Sequence, residues 1–499
     1  MAGIFNQDIK SKFVQEFISD VSSTSSNYYV GFGNFFEWPD DNNPPSTNAA
    51  IGSIYYDVNS NLLFGKKITS SDIAFITRTN IWTSGTVYSY YDHRDPNLYS
   101  KAFYVVTSLN RVYKCLFNNY GAPSTIEPSL TINSGDFNTT DGYKWKYMFT
   151  VNSATSKKFA TDQYLPIVPS KAVTQFAENG ALHVLVVDNS GNNYAFSNGY
   201  VVSSLDNYTF QISNTNASVV SGTYTDSTFY VYSGGGSGSL SPIKDYVVNS
   251  IGKFVSTTNP ITDVDSTSLY TIGPQVNITG DGRGAAAVTN IDPATGSITS
   301  IDVVDRGLYY SYANVSIVAN SFFGYGASVS AIISPRNGHG YDPISELGCS
   351  TVGISASTSL VDNFPTWVTY RQISLLFNPT ASANSTPYQD DTFNQMLWFD
   401  LLSSASPFAT GEVVQGFNSK ATATVAYMDA NVLYVLKDVG TFLPYETLTS
   451  LTSGKTCVIS AINNKDLVPY TSDVYYYKNI QPINRDGIAS EDVKLYFNF

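Results

Sequence analysis

Four stretches of this sequence bring together residue types that do chemistry. In "YYDHRDP" His93 stands beside Asp92, Arg94 and Asp95, an imidazole among carboxylates that suggests acid–base work or a metal. Neighbours along an extended chain point to opposite faces, however, and no second histidine lies near, so a surface loop with local ion pairs is the expectation. In "NGHGYDP" (337 to 343) one histidine, His339, lies in a Gly-rich turn, enough for a bend and too little for a metal site. The run "GDGRGAA" (280 to 286) invites a phosphate-loop reading. A dinucleotide fingerprint must open a helix and a Walker loop needs G-K-[ST], whereas Ala- and Val-rich strand residues follow here, which predicts a hairpin turn with glycine supplying positive φ.

The fourth stretch, "DGYKWKYMF" (141 to 149), alternates with period two: Tyr143, Trp145, Tyr147 and Phe149 to one side, Lys144 and Lys146 to the other. Aromatics on a strand with lysines nearby can stack the bases of a single strand. The same pattern fills the core of a β-sandwich and keeps its outer face wet. The core reading predicts that Tyr143, Trp145 and Tyr147 are buried against a facing sheet and that Lys144 and Lys146 meet solvent or an acidic neighbour. No G-x-S-x-G, H-E-x-x-H or EF-hand pattern occurs. Paired carboxylates of glycosidase type need only meet in space, and nothing in the sequence promotes one pair over another. No catalytic, cofactor-binding or metal-ligating residue is assigned, and a protein without enzymatic activity or cofactor is expected.

Composition says what must position these residues. Charged residues make up 13% of the 499, about half the ~25% of an average soluble chain, and aromatics reach 14%. Much Tyr, Thr, Val, Gly and Asn with little Glu, Lys and Ala favours strands and turns over helices. The net charge of −13 repels phosphates, so nucleic acid is not an expected partner. Cys115, Cys349 and Cys457 are odd in number and far apart, without zinc spacing, so a disulfide framework is not expected. No signal-peptide core and no run approaching 18 apolar residues is present, which predicts a soluble protein, without membrane contact, made in a reducing cytosol.

The expected fold is mainly β: multiple antiparallel β-sandwiches with inserted β-modules and a short N-terminal helix. Helix 8–21 is read from Ile9, Phe13, Phe17 and Val21, widened by Val14 and Ile18 and stopped by "SSTSSN". Strands are read at "NYYVGFGNFF", "IGSIYYDV", "TVYSYYD", "KAFYVVTS" and "RVYKCLF". Residues 1–172 would begin a core domain, 173–345 would be an inserted Gly/Ser-rich β-repeat domain, and 346–405 would return to the core. A small duplicated β-module would fill 406–463, before closing strands over 464–499.

Two duplications support the insertions. "PQVNITGDGRGAAAVTNI" is echoed by "ANVSIVANSFFGYGASVSAII", at an offset drifting from 39 to 42 residues (Val276/Val315, Gly284/Gly326). "FATGEVVQGFNSKATATV" and "FLPYETLTSLTSGKTCVI" align at a constant offset of 34, with Phe408/Phe442, Glu412/Glu446, Ser419/Ser453 and Thr422/Thr456 coinciding. "YSGGGSGSLSP" (232 to 242) reads as a flexible loop.

Several stretches, in order, carry a resemblance: "VGFG" (30 to 33) with Trp38 downstream, "DIAFITRTNIW", "VYKCL", "DGYKWKYMF", "YRQISLLFNP" and the terminal "VYYYKNIQPINRDGIASEDVKLYFNF". Together they resemble the β-rich wedge subunit of the baseplate of T-even-like contractile-tailed bacteriophages, over roughly 1–170, 350–400 and 465–499. The resemblance implies a structural subunit of the virion tail baseplate, assembled in the host cytoplasm, that forms a homodimer and bridges other wedge subunits as the tail contracts. Phe13, Phe17 and Trp38 are the expected interface anchors, since aromatics are enriched at interface centres. The competing expectation is a carbohydrate-binding tail adhesin whose inserted modules stack sugars on "RGLYYSYAN" and "SFFGYGAS".

Overall fold

The structure, a computed structural model, describes residues 7–47, 51–194, 197–199, 208–213, 219–224, 229–232, 240–243, 270–272, 274–292, 294–318, 324–358, 364, 368–402, 408–485 and 490–499. Residues 233–239 of the Gly/Ser-rich stretch lie outside the described residues. The protein is mainly β, with several antiparallel sheets, a closed barrel and a short N-terminal helix. It forms two compact units: Met1–Ile76 with Lys157–Ala160 and Ser350–Phe499, and Thr77–Ser156 with Thr161–Cys349. The expected boundary at 172/173 falls inside the second unit, because hydrogen bonds and ion pairs tie residues 136–146 to residues 178–346.

In the first unit the central strand Tyr28–Gly33 pairs with Leu62–Ile68 on one side and Thr369–Phe377 on the other. All six of its residues are buried, which is why it reads as a nearly unbroken apolar run. Glycine is required where Gly31 faces Gly65: a Cβ on Gly65 would meet the Phe393 ring at 2.3 Å. The terminal strand Glu491–Asn498 pairs with Thr351–Thr358 and sets Val493, Leu495 and Phe497 opposite Ala356, Ile354 and Val352, as the alternation predicts.

Two local expectations change. The helix Gln7–Val21 forms, but its buried side chains are Ser11, Val14 and Val21, while Ile9 and Phe13 are exposed. The packed stripe is therefore turned toward Val14 and away from Phe13. "IGSIYYDV" is not a strand but the start of the helix Ile51–Asn61. Its Ile54 and Val58 lie four apart and pack on one core, and that one-sided burial overrides the strand propensity of Ile, Tyr and Val. In the second unit "TVYSYYD" forms no regular strand beyond a single bridge at Thr86, although Tyr88 and Tyr91 are buried.

The duplicated module is a closed six-stranded barrel. Val413–Gly416 and Thr422–Asp429 recur as Thr447–Ser450 and Thr456–Asn463 at the same offset of 34. Each repeat has a third strand, Leu397–Leu401 for one and Val432–Val439 for the other, so the module starts near 397 and takes a strand expected to belong to the core. Phe399 and Leu433, equivalent by that offset, are both fully buried. The first hairpins of the repeats meet antiparallel at Gln415↔Thr449, a pair that maps onto itself under the repeat and so marks a pseudo-dyad.

Across that dyad the repeats exchange hydrogen bonds: Ser419 Oγ donates to Glu446 at 2.8 Å, and Ser453 Oγ donates to Glu412 at 3.0 Å. Glu446 is buried and also accepts from the backbone N–H groups of Asn418, Ser419 and Leu443. Gly416 leaves the space for it, since a Cβ there would lie 2.5 Å from Glu446 Oε1. In the second repeat Ser450 stands in the place of Gly416, and its own hydroxyl takes the turn amides of Thr452 and Ser453. Gly416→Ala is therefore expected to displace Glu446 and lower stability by about 2 kcal/mol, read by urea unfolding. Ser450→Ala loses only neutral hydrogen bonds and should lose about half that.

The second unit has a four-stranded sheet ordered Tyr104–Val106, Arg111–Asn118, Tyr143–Thr150, Phe137–Asn138. It also has a six-stranded sheet, in which Gln275–Gly280 pairs with Ala313–Val318 as Val276↔Ile317 and Ile278↔Val315. With Val276 equivalent to Val315 by the offset of 39, this too is a pairing of first strands about a pseudo-dyad. The second strands, Arg283–Ile291 and Tyr325–Ile333, flank it, and Gly284 and Gly326 both have φ near +85°. The "GDGRGAA" run is the hairpin turn between Gln275–Gly280 and Arg283–Ile291. Asp281 in that turn accepts hydrogen bonds from Ser311 Oγ and from the backbone N–H groups of Ser311 and Tyr312.

Candidate functional site

The strand Tyr143–Thr150 has its two faces in two different environments. Its register with Arg111–Asn118 sets Trp145 opposite Cys115, Tyr147 opposite Tyr113, and Lys146 opposite Lys114. Tyr143, Trp145 and Tyr147 are buried with Tyr88, Val105, Tyr113, Cys115 and Val173 in one cluster. The Tyr143 and Trp145 rings stack at 5.4 Å, and Tyr143 Oη donates to the carbonyl of Ala122 at 2.6 Å. Rings sealed in this way present no face to a base. The strand is a core element.

The lysine face is covered: Lys144 has the acidic neighbour expected of it, Asp136 at 3.7 Å, whereas Lys146 meets a backbone carbonyl in place of solvent or an acid. Lys114 and Lys146 are buried and Lys144 is half-buried, because residues 178–183 and 339–346 cover this side of the sheet. Lys114 Nζ pairs with Glu346 Oε2 and lies 4.7 Å from the centre of the Tyr91 ring. Lys146 Nζ donates to the carbonyl of Asn133 at 2.8 Å, and Lys144 Nζ to that of His183 at 3.0 Å. Asp136, whose side chain is 8% exposed, meets His183 Nδ1 at 3.1 Å and Arg306 at 2.7 Å, and Arg306 reaches Glu178 at 3.3 Å. His183 and His339 pack edge to face at 4.9 Å, as do His339 and Tyr91. The result is a continuous file of titratable side chains inside the unit.

The segment "NGHGYDPISE" delivers two of them. Gly338 and Gly340 adopt φ of +99° and +85°. A Cβ on Gly340 would lie 2.5 Å from Val173, so only glycine lets the turn press His339 inward. Asp342 caps the short helix Pro343–Glu346 by accepting from Ile344 N and Ser345 N, which places Glu346 under the turn. Glu346 Oε1 accepts from Gly340 N at 2.7 Å and Asp342 N at 3.3 Å. His339 Nδ1 lies 3.9 Å from Glu346 Oε2 and makes no hydrogen bond.

Burial and charge set the protonation of this file. Burial alone would raise the Asp136 carboxyl, but His183, Lys144 and Arg306 outweigh it and hold it well below the usual range. Burial, helped by the charges of Arg306 and Lys114 and opposed by Asp136, brings Lys146 down to about 8. Burial also lowers Lys114 and raises Glu346, each against the pull of its partner. His183 is lowered by burial despite Asp136, and His339 by burial together with Lys114, His183, Lys146 and Arg306. Both imidazoles stay neutral in the folded chain below the pH at which they charge in the unfolded one.

The unfolded chain therefore binds protons first on acidification. The stabilisation is complete above about pH 6.5 and falls as pH drops, by up to about 1.4 kcal/mol per pH unit per histidine. Melting temperatures between pH 8 and pH 5 should show this slope, and His339→Leu should flatten it.

Among the described residues no group of three or more His, Cys, Asp or Glu side chains is arranged to hold a metal ion. His93 is in a loop with the expected local pairs, Asp92 with Arg94 at 2.9 Å and Asp95 with Lys101 at 2.6 Å, and its Nδ1 accepts from Ile333 N. Of the expected interface anchors, Phe17 packs against Tyr28 and Phe499, and Trp38 donates through Nε1 to the carbonyl of Ile480 at 3.1 Å. Both are half-buried within their own unit, and Phe13 alone of the three is exposed. Among the described residues no helix is long and apolar enough to cross a membrane. No protein-family model and no curated protein matches the chain.

Proposed function

We propose that this protein is a structural subunit of a contractile phage tail baseplate, a dimeric wedge subunit that bridges neighbouring wedge proteins and carries out no catalysis. The observation that carries this reading is where the apolar surface lies. On the barrel, Phe417 and Leu451, which are equivalent under the repeat, are 65% and 58% exposed, and Tyr445 is 73% exposed. Large apolar side chains displayed by a rigid barrel suit burial against partner proteins. The side chains of Lys114, Lys146, Asp136, His183, His339 and Glu346 in the second unit, by contrast, are turned inward. The sequence resemblance supplies the identity of the assembly, and the exposed side chains supply the physical means.

The test is to locate the protein on particles. Gold-labelled antibody against the purified chain should mark the baseplate end of the tail. Label confined to fibres would contradict the proposal. A second reading, a carbohydrate-binding adhesin, draws on Tyr309, Tyr312 and Tyr325, each more than half exposed, with the Arg283 guanidinium 5.7 Å from the centre of the Tyr309 ring. Binding of host surface polysaccharide by the purified protein, lost on Tyr309→Ala, would favour that reading.

A further inference from the structure

The Lys114–Glu346 pair sits in surroundings suited to making a covalent bond. The two residues are 232 positions apart in sequence, yet Lys114 Nζ contacts Glu346 Oε2, with side chains 0% and 4% exposed. In so dry a place an ammonium and a carboxylate lose their hydration, and passing the proton from Lys114 to Glu346 removes both charges. The products, a neutral amine and a neutral carboxylic acid, are the forms that condense to an amide.

Three further groups surround the pair. Gly340 N–H and Asp342 N–H both point at Glu346 Oε1, the oxygen that would gain negative charge when the carbonyl carbon is attacked. Two fixed donors on such an oxygen form an oxyanion hole. His339 Nδ1, 3.9 Å from Oε2 and without a hydrogen bond, faces the oxygen that would leave. The Tyr91 ring closes the site beside Nζ, and the His339 ring packs on its edge. An ion pair needs only the two partners; the backbone donors on one oxygen and the vacant imidazole nitrogen near the other go beyond that need.

We propose that Lys114 and Glu346 join in an intramolecular isopeptide bond. Nζ of the neutral Lys114 attacks Cδ of the protonated Glu346, forming the Nζ–Cδ bond while Oε1 is held by the two amides. One proton leaves the attacking nitrogen and passes through His339 Nδ1 to Oε2. The Cδ–Oε2 bond breaks and water departs, leaving a secondary amide. One amine and one acid give one amide and one water, with no oxidant, reductant or other reactant. The bond staples the strand Arg111–Asn118 to the helix Pro343–Glu346 inside the second unit.

The test is a proteolytic digest of the purified, denatured full-length protein, read by mass spectrometry. A branched peptide joining the segments that contain Lys114 and Glu346, lighter than their sum by one water, is expected. Finding the two segments only as separate peptides of unmodified mass would overturn the proposal, and this decision needs no variant to fold. Lys114→Arg should give no branched peptide. Glu346→Gln should give the same branched peptide as the wild type, since its condensation releases ammonia in place of water. His339→Leu should reduce the cross-linked fraction at least tenfold at early times after synthesis, and an unchanged fraction would remove His339 from the proton path.

Discussion

Trp145→Ala is expected to lower the stability of the second unit by about 3–5 kcal/mol. Trp145 is fully buried, stacks on Tyr143 and meets the Tyr88 ring edge-on at 6.2 Å. Removing it opens a cavity beside two rings that are pinned by their own hydrogen bonds. Tyr143 is held at Ala122, and Tyr88 Oη accepts from Thr83 N. Neighbours held in this way cannot collapse into the space, which puts the effect in the upper part of the range for large-to-small core changes. Urea unfolding followed by near-ultraviolet circular dichroism measures it. Lys144→Ala, one position away and half-exposed, should change stability by less than about 1 kcal/mol. A similar effect at both positions would contradict the assignment of the two faces.

The second large effect is expected at Asp136. Its carboxylate is the shared partner of His183, Lys144 and Arg306, and it is 8% exposed. Asp136→Asn keeps the shape and removes the charge, leaving cations facing one another in a poorly hydrated space. Breaking a buried pair in this way costs about 3–5 kcal/mol at pH 7. The carboxyl is held below its ordinary value, so its contribution is present above the unfolded pKa of about 4 and is lost as pH falls through the folded value. The gap between wild type and Asp136→Asn should therefore be constant from pH 7 to about pH 5 and shrink progressively as pH falls below about pH 4. A gap that kept its full size at pH 2 would assign the effect to packing instead of charge.

Where sequence pattern and structure part is instructive. Alternation sorts Tyr143, Trp145 and Tyr147 onto one face correctly, because a period of two is a property of the strand alone, but a bulge after Tyr147 breaks that period and sets Phe149 opposite Val112, outside their cluster. It cannot say what covers the other face, and so Lys114, Lys146, His183, His339 and Glu346 are invisible as a group until distant segments are folded together. One signal was present: two glycines around His339 followed by Asp-Pro, a turn that only glycine can make and that ends in a capped helix. The offset of 34 was legible through Glu412/Glu446 and Ser419/Ser453 because those side chains bond across the repeat and fix each other's identity. The third strands, Leu397–Leu401 and Val432–Val439, share only buried apolar character, which leaves no sequence signature. Helix Gln7–Val21 was readable from its periodicity, but the face it buries depends on what lies beneath, and that favoured Val14 over Phe13.

The central proposal is that the protein works by assembling, as a dimer that bridges neighbouring wedge proteins in a tail baseplate. Light scattering of the purified full-length chain across a dilution series tests this most directly. The account predicts the mass of two chains, held from high to low micromolar concentration. The mass of three chains would contradict it and direct attention to a fibre or adhesin and to sugar binding through the exposed tyrosines of the second unit.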